Sequence, residues 1–214
     1  MTRVLLTGFA PFAGESTNPS WQAVRAAAAD PPAGLEVSAV ELPCVYGASI
    51  AVLRAAIEET RPDIVVCAGQ AGGRPDITVE RLAINLDDAR IPDAAGAEPI
   101  DEPIVPGGPA AYFSTLPVKA CVAAVRAAGL PASVSHTAGT FVCNHVFYGL
   151  AHLIATELPG LRGGFVHVPY APEQVVDRAQ PSLPVTAVTR ALCEIAVTAA
   201  QTRTDIRAAG GTTH

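Results

Sequence analysis

Short apolar runs alternate along the chain with longer segments in which apolar positions recur every three or four residues. Arg3–Thr7 and Asp63–Ala68 read as buried strands, the second bounded by Pro62 and Gly69. Leu35–Leu42, Ala132–Thr137 and Gly164–Val168 read as further strands. Helices are predicted from Asn18-Pro19-Ser20-Trp21 onward, and over Ala48–Glu59, Pro117–Ala128, Asn144–Glu157 and Val185–Thr202. The first opens with a capping side chain and a proline suited to the first turn, and Gly129 closes the third. The fourth has a clear inner face of Val146, Phe147, Leu150, Leu153, Ile154 and Leu158. Gly8 to Asn18 is a turn-rich loop. Ile91–Pro109, rich in Pro, Gly, Asp and Ala, predicts an extended loop or flap and not a domain linker, because strand–helix units continue on both sides. The alternation predicts a single α/β domain over residues 1–207, three layers α/β/α around a mostly parallel twisted sheet. Ala208–His214 reads as a disordered tail.

Composition narrows the interior and the partners. Half of the 214 residues are hydrophobic, 16% are charged and only 5% are aromatic, so a large core is built mainly from Ala, Val, Leu and Ile. The net charge of −6 comes without any block of Lys and Arg, which argues against a nucleic-acid or anionic-membrane surface. No apolar run reaches the roughly 18–20 residues that span a bilayer, and no secretory leader is expected at the N-terminus. Five cysteines, an odd number with no CxxC pair, fit reduced thiols in a cytoplasm better than a disulfide framework. No His or Cys spacing suggests a metal, and no cofactor is expected.

The chemistry gathers at Cys143, in Ala138-Gly139-Thr140-Phe141-Val142-Cys143-Asn144-His145, between a strand-like and a helix-like run. A thiol at a helix start meets unpaired N–H groups and the positive end of the dipole, both of which favour the thiolate. Cys67, Cys121 and Cys193 read as core, and Cys44, after a strand, reads as core or as facing a pocket. Among the histidines, His145 diverges from Cys143 on a helix, His152 is mid-helix, His136 lies in a strand run and His214 in the tail. His167 stands near a strand end, where open α/β sheets form their ligand crevice, and is the favoured base. Glu80, in Thr78-Val79-Glu80-Arg81, supplies a carboxylate for a Cys/His/acid site, although by itself it reads first as a surface group pairing Arg81 or a neighbour. Gly69-Gln70-Ala71-Gly72-Gly73-Arg74 matches neither GxGxxG nor GxxxxGK[ST] and reads as a turn where backbone passes close to a ligand or strand.

Four blocks in one order then carry a resemblance. They are Thr7-Gly8-Phe9-Ala10-Pro11-Phe12 with Asn18-Pro19-Ser20-Trp21; Gly69-Gln70-Ala71-Gly72 through Ile77–Asn85 to Asp88-Ala89-Arg90-Ile91-Pro92-Asp93; Ala138–Asn144; and Phe165-Val166-His167-Val168-Pro169. Over residues 3 to 170 the chain resembles pyroglutamyl peptidase I, also called pyrrolidone carboxyl peptidase, a cysteine peptidase family. The resemblance implies a triad of Cys143, His167 and Glu80, and an apolar pocket shaped by Phe9, Phe12, Phe141 and Val142 with Ile91 at its border. It implies that Gln70 hydrogen-bonds the ring amide of an N-terminal pyroglutamyl residue, and that Arg90 with the Cys143 backbone N–H holds the oxyanion. It also implies peptide substrates and a homo-oligomer, a tetramer. An uncharged lactam suits apolar walls and one amide-compatible partner, and such a site rejects proline, which lacks the ring carbonyl, by up to about 10⁴-fold. A phosphorylase-like transferase and a pyroglutamyl-binding protein on the same fold are the competing readings.

Overall fold

The computed structural model describes residues 1–212; His214 and the end of the predicted tail lie outside them. Eight strands and five helices follow one another as β1 (Thr2–Phe9), α1 (Pro19–Ala29), β2 (Leu35–Leu42), α2 (Ala48–Thr60), β3 (Ile64–Gln70), β4 (Ile77–Glu80), β5 (Leu82–Ile84), β6 (Ala111–Phe113), α3 (Val118–Ala127), β7 (Ala132–Ser135), α4 (Val142–Thr156), β8 (Arg162–Val168) and α5 (Val185–Gln201). Six strands form one sheet in the order β2-β1-β3-β8-β4-β7. Its pairings are parallel except β4 with β8, so β4 and β7 run against the other four. A separate two-stranded ribbon, β5 with β6, is antiparallel.

The expected three layers are present. Strand alternation divides the apolar side chains between two cores. Val4, Leu6, Ile64, Val66, Val79 and Val166 meet Ala23, Val24, Cys121, Val125, Leu192 and Ile195 of α1, α3 and α5. Leu5, Val65, Cys67 and Phe165 meet Leu53, Ile57, Val146, Phe147 and Leu150 of α2 and α4 on the opposite face. Asn18 caps α1 as its sequence predicts, accepting from Ser20 N at 3.1 Å, and its Nδ2 donates to Ala10 O at 3.2 Å. That second bond fixes the loop after β1 to the start of α1.

The Ile91–Pro109 segment is an irregular loop tied down along its length. Asp93, 5% exposed, accepts the backbone N–H groups of Tyr46, Ala95 and Ala97 at 2.8–2.9 Å. Asn85 exchanges two hydrogen bonds with Val105, at 2.8 and 2.9 Å, and Tyr148 Oη donates to Pro109 O at 2.7 Å. Beyond α5, Gly210 O accepts from Arg81 Nη2 at 3.2 Å.

Candidate active site

Alternation and register place the chemistry on one face of the sheet. His167 of β8 lies beside Gly69 of β3 on one side and Thr78 of β4 on the other. Glu80 ends β4, two residues on from Thr78 and therefore on the same face. The opposite parity sends Ile77 and Val79 into the other core. The N-terminus of α4 descends onto this face. A Cβ placed on Gly69 would lie 2.8 Å from Cys143 Sγ and 2.9 Å from Phe165 Cζ. The thiol thus rests on the bare backbone of Gly69, the cross-strand neighbour of His167, and only glycine leaves room for it. The turn reading of Gly69–Arg74 holds also at Gly72, where a Cβ would meet the Tyr170 ring at 2.2 Å.

His167 Nδ1 and Glu80 Oε1 are 2.7 Å apart. An ionised carboxylate only accepts, so Nδ1 carries the proton and Nε2 is left as the basic nitrogen. Glu80 has no exposed surface, which overturns its reading as a surface carboxylate. Its partner is also not Arg81, which alternation turns away toward Gly210. Arg74 is the counterion: Nη1 donates to Glu80 Oε1 at 2.7 Å and to Thr78 Oγ1 at 2.6 Å, and Nη2 donates to Thr137 O at 3.0 Å. Sequence reasoning passed over Arg74, reading it as the end of a glycine turn. The usable signal was the requirement that a buried carboxylate be paired.

Burial governs the protonation states. It pushes the Cys143 thiol well above its ordinary value, reinforced by Cys44 and Glu80 and opposed by Arg74. It also lowers His167, against the hydrogen bond and charge of Glu80. Burial raises Glu80 too, but the hydrogen bond and charge of His167, with Ser135 and Arg74, hold it below the usual carboxylate value. The helix start was expected to favour the thiolate. Dehydration works the other way at Cys143, and it also disfavours the charged form of His167.

A pocket of about 240 Å³ opens over the thiol, with Phe9, Phe12, Phe141, Cys44, Gln70 and Tyr170 among its lining residues. Phe12 packs on Phe141 at 5.5 Å between ring centres, and Tyr46 meets the Phe141 ring edge-on at 5.5 Å. These walls lie at the C-terminal ends of β1, β3 and β8, the crevice expected of such sheets. Val142 is fully buried in the core and lies behind the wall, outside the lining. Arg90 and Ile91 are exposed and line an adjoining pocket of about 440 Å³ that shares Phe12, Gln70, Phe141 and Tyr170 with the first. His145 turns away from the thiol: Nδ1 is 2.7 Å from Asp87 Oδ2, and Nε2 accepts from Gly47 N at 2.9 Å. Among the described residues no three His, Cys, Asp or Glu side chains are grouped as a metal site, and no helix is long and apolar enough to cross a membrane.

Comparison with known proteins gives one consistent result. The pyroglutamyl peptidase family profile matches residues 2–203. The pyrrolidone-carboxylate peptidase of Streptomyces coelicolor is 66% identical over the full length of both chains. Pyroglutamyl peptidase I of Bacillus amyloliquefaciens superimposes with a TM-score of 0.96 at 50% identity, covering 97% of this chain and 99% of that one. The pyrrolidone carboxyl peptidase of Thermococcus litoralis does so with a TM-score of 0.92 at 36% identity, covering 98% and 100%. The fold, the matched length and these identities together show that the chain belongs to the pyroglutamyl peptidase family of cysteine peptidases.

Proposed function

We propose that this protein hydrolyses the amide bond after an N-terminal pyroglutamyl residue of peptides, with Cys143 as nucleophile, His167 as base and acid, and Glu80 as the group that orients His167. The observation that carries this reading is the thiol lying on Gly69, beside a histidine whose Nδ1 is held by a buried carboxylate, beneath a phenylalanine-walled pocket. Proton transfer from Cys143 Sγ to His167 Nε2 accompanies attack of Sγ on the pyroglutamyl carbonyl. The free backbone N–H groups of the first turn of α4, that of Cys143 among them, face the developing oxyanion, and Arg90 moves in from the adjoining pocket to share that charge. His167 then protonates the leaving amine, and water cleaves the pyroglutamyl thioester. Glu80 stabilises the imidazolium during both steps.

The lactam ring occupies the pocket between Phe9, Phe12 and Phe141, with Gln70 hydrogen-bonded to the ring amide, Val142 supporting the wall from behind and Ile91 at its outer border. Residues 1–207 act as one peptidase unit, and 208–214 form a tail that the chemistry does not use. A homotetramer, as the family resemblance implies, and a cytoplasmic setting, which suits five unpaired cysteines, complete the proposal. Release of a fluorescent amine from a pyroglutamyl amide tests it, run beside prolyl and glutamyl analogues and beside Cys143→Ala. Turnover of the pyroglutamyl compound alone, abolished in the variant, is the expected result. Activity surviving in Cys143→Ala overturns the mechanism, and no turnover by the folded, reduced protein leaves the binding-protein and phosphorylase-like readings.

A further inference from the structure

Gln174 lies outside the pocket lining, but its carboxamide reaches the residue that reads the ligand. It ends the 3₁₀ turn Pro172–Gln174 that follows β8 and is 8% exposed. Its Oε1 accepts the backbone N–H of Ala171 at 2.9 Å. A backbone N–H only donates, so the facing atom is an oxygen and the amide orientation is fixed by chemistry. Nε2 therefore points the other way, donating to Gln70 Oε1 at 3.0 Å and to Thr17 O at 3.4 Å. The backbone of Gln174 is held as well. Arg178 Nε donates to its carbonyl at 3.0 Å, and Arg178 Nη2 is paired with Glu15 at 2.6 Å. Gln70 Oε1 is thus engaged from behind, while its Nε2 has no hydrogen-bond partner among the described residues at a position lining the pocket over Cys143.

We propose that Gln174 is a positioning residue that sets the polarity of the specificity pocket. The relay runs from Ala171 N–H to Gln174 Oε1, from Gln174 Nε2–H to Gln70 Oε1, and from Gln70 Nε2–H to a carbonyl of the ligand. The inference rests on the pyroglutamyl reading above and deepens it: the Gln70 side chain reads the ring C=O as a donor. A prolyl group lacks that oxygen and leaves a dehydrated N–H without a partner.

Gln174→Glu tests the relay. As a carboxylate, residue 174 only accepts, so Gln70 turns Nε2 toward it and presents Oε1 to the pocket, against the ring carbonyl. KM for a pyroglutamyl amide is expected to rise about 10-fold or more, with a smaller change in kcat. A protonated glutamic acid donates and accepts where glutamine does, so the variant-to-wild-type KM ratio falls toward one between about pH 8 and about pH 5. The charged and titratable groups around this site are Glu15, Arg178 and Tyr170; Glu15 is held low by Arg178 and also by Gln174, so the leucine variant, which removes Gln174 without adding a titrating group, separates the contribution of Glu15 from that of residue 174. A ratio that stays flat with pH, or an unaltered preference for pyroglutamyl over prolyl amides, overturns the proposal. Gln174→Leu serves if the first variant does not fold. It removes the relay without a titrating group, so KM rises at every pH, and a leucine variant with wild-type KM and selectivity also overturns the proposal. Thermal melting at each pH confirms the folded state. A wild-type protein that turns over no pyroglutamyl amide removes the underlying function, whereas an active wild type with a flat ratio removes the relay alone.

Discussion

A carboxylate with no exposed surface keeps its charge only through its neighbours, and Glu80 Oε1 has two charged or chargeable ones, His167 and Arg74, each at 2.7 Å. Glu80→Gln keeps the shape and removes the charge that holds His167 Nδ1–H. kcat/KM is expected to fall on the order of 10⁴-fold, as when the acid of a Ser-His-Asp triad is amidated, with KM little changed because Glu80 does not line the pocket. Steady-state kinetics on the pyroglutamyl amide read both parameters. Burial lowers His167 first of all, and the charge of Arg74 acts in the same direction. The base works when unprotonated, so the acid limb of kcat/KM is expected below the ordinary histidine value of 6.5. Arg74→Met removes a cation that opposes protonation and is expected to move that limb to higher pH. A pH–rate profile of the variant that coincides with the wild type would refute this role.

At the scale of elements, the thiol is only as well placed as the first turn of α4. Asn144, next to Cys143 and fully buried, accepts from Ile84 N at 3.0 Å and donates to Ile84 O and Leu86 O at 2.9 and 3.0 Å. These bonds lock α4 to β5. Asn144→Ala leaves the Ile84 N–H buried without a partner and is expected to cost about 1–3 kcal/mol, seen as a lower urea midpoint, together with reduced kcat. A variant that loses stability but keeps full kcat would show that the clamp does not position the thiol. The same elements show what periodicity reveals. α2 and α5, and the strands β1, β3 and β8, were legible because burial on a sheet imposes apolar runs and faces. β4 is four residues long and ends in Glu80, so it read only as the source of a carboxylate. Its direction follows from its linker: the residues between Gln70 and Ile77 are too few for a parallel crossover, so β4 runs against β8. The three-residue strands β5 and β6 are too short for any period to register. Cys143, His167 and Glu80 were named from motif and position, while Arg74 and Gln174 act through distances that spacing does not encode.

Across the whole molecule, buried titrating groups oppose unfolding in one common window. His167 has a folded-state value below its ordinary 6.5, so as pH falls the unfolded chain takes up that proton first and stability is lost. Glu80 and Asp93 are also depressed, the first by His167 and Arg74 against burial, the second by the backbone N–H groups of Ala97, Tyr46 and Ala95 against burial. Their contributions are complete above the unfolded values of 4.5 and 3.8 and disappear as pH falls through the folded ones. The thiols give the opposite limb. Burial pushes Cys67 and Cys121 up to about 12 from 9.0, so their contribution is complete below 9.0 and is lost as the unfolded chain ionises first above it. Stability is therefore expected to be flat between about pH 6.5 and about pH 9 and to decline on both sides. Urea midpoints under reducing conditions across pH 4–11 or so check this. Cys67→Ala and Cys121→Ala, although each leaves a cavity that lowers the whole curve, are expected to make the alkaline decline shallower and to leave the acid decline in place. An alkaline limb equally steep in both variants would assign the loss of stability there to groups other than Cys67 and Cys121.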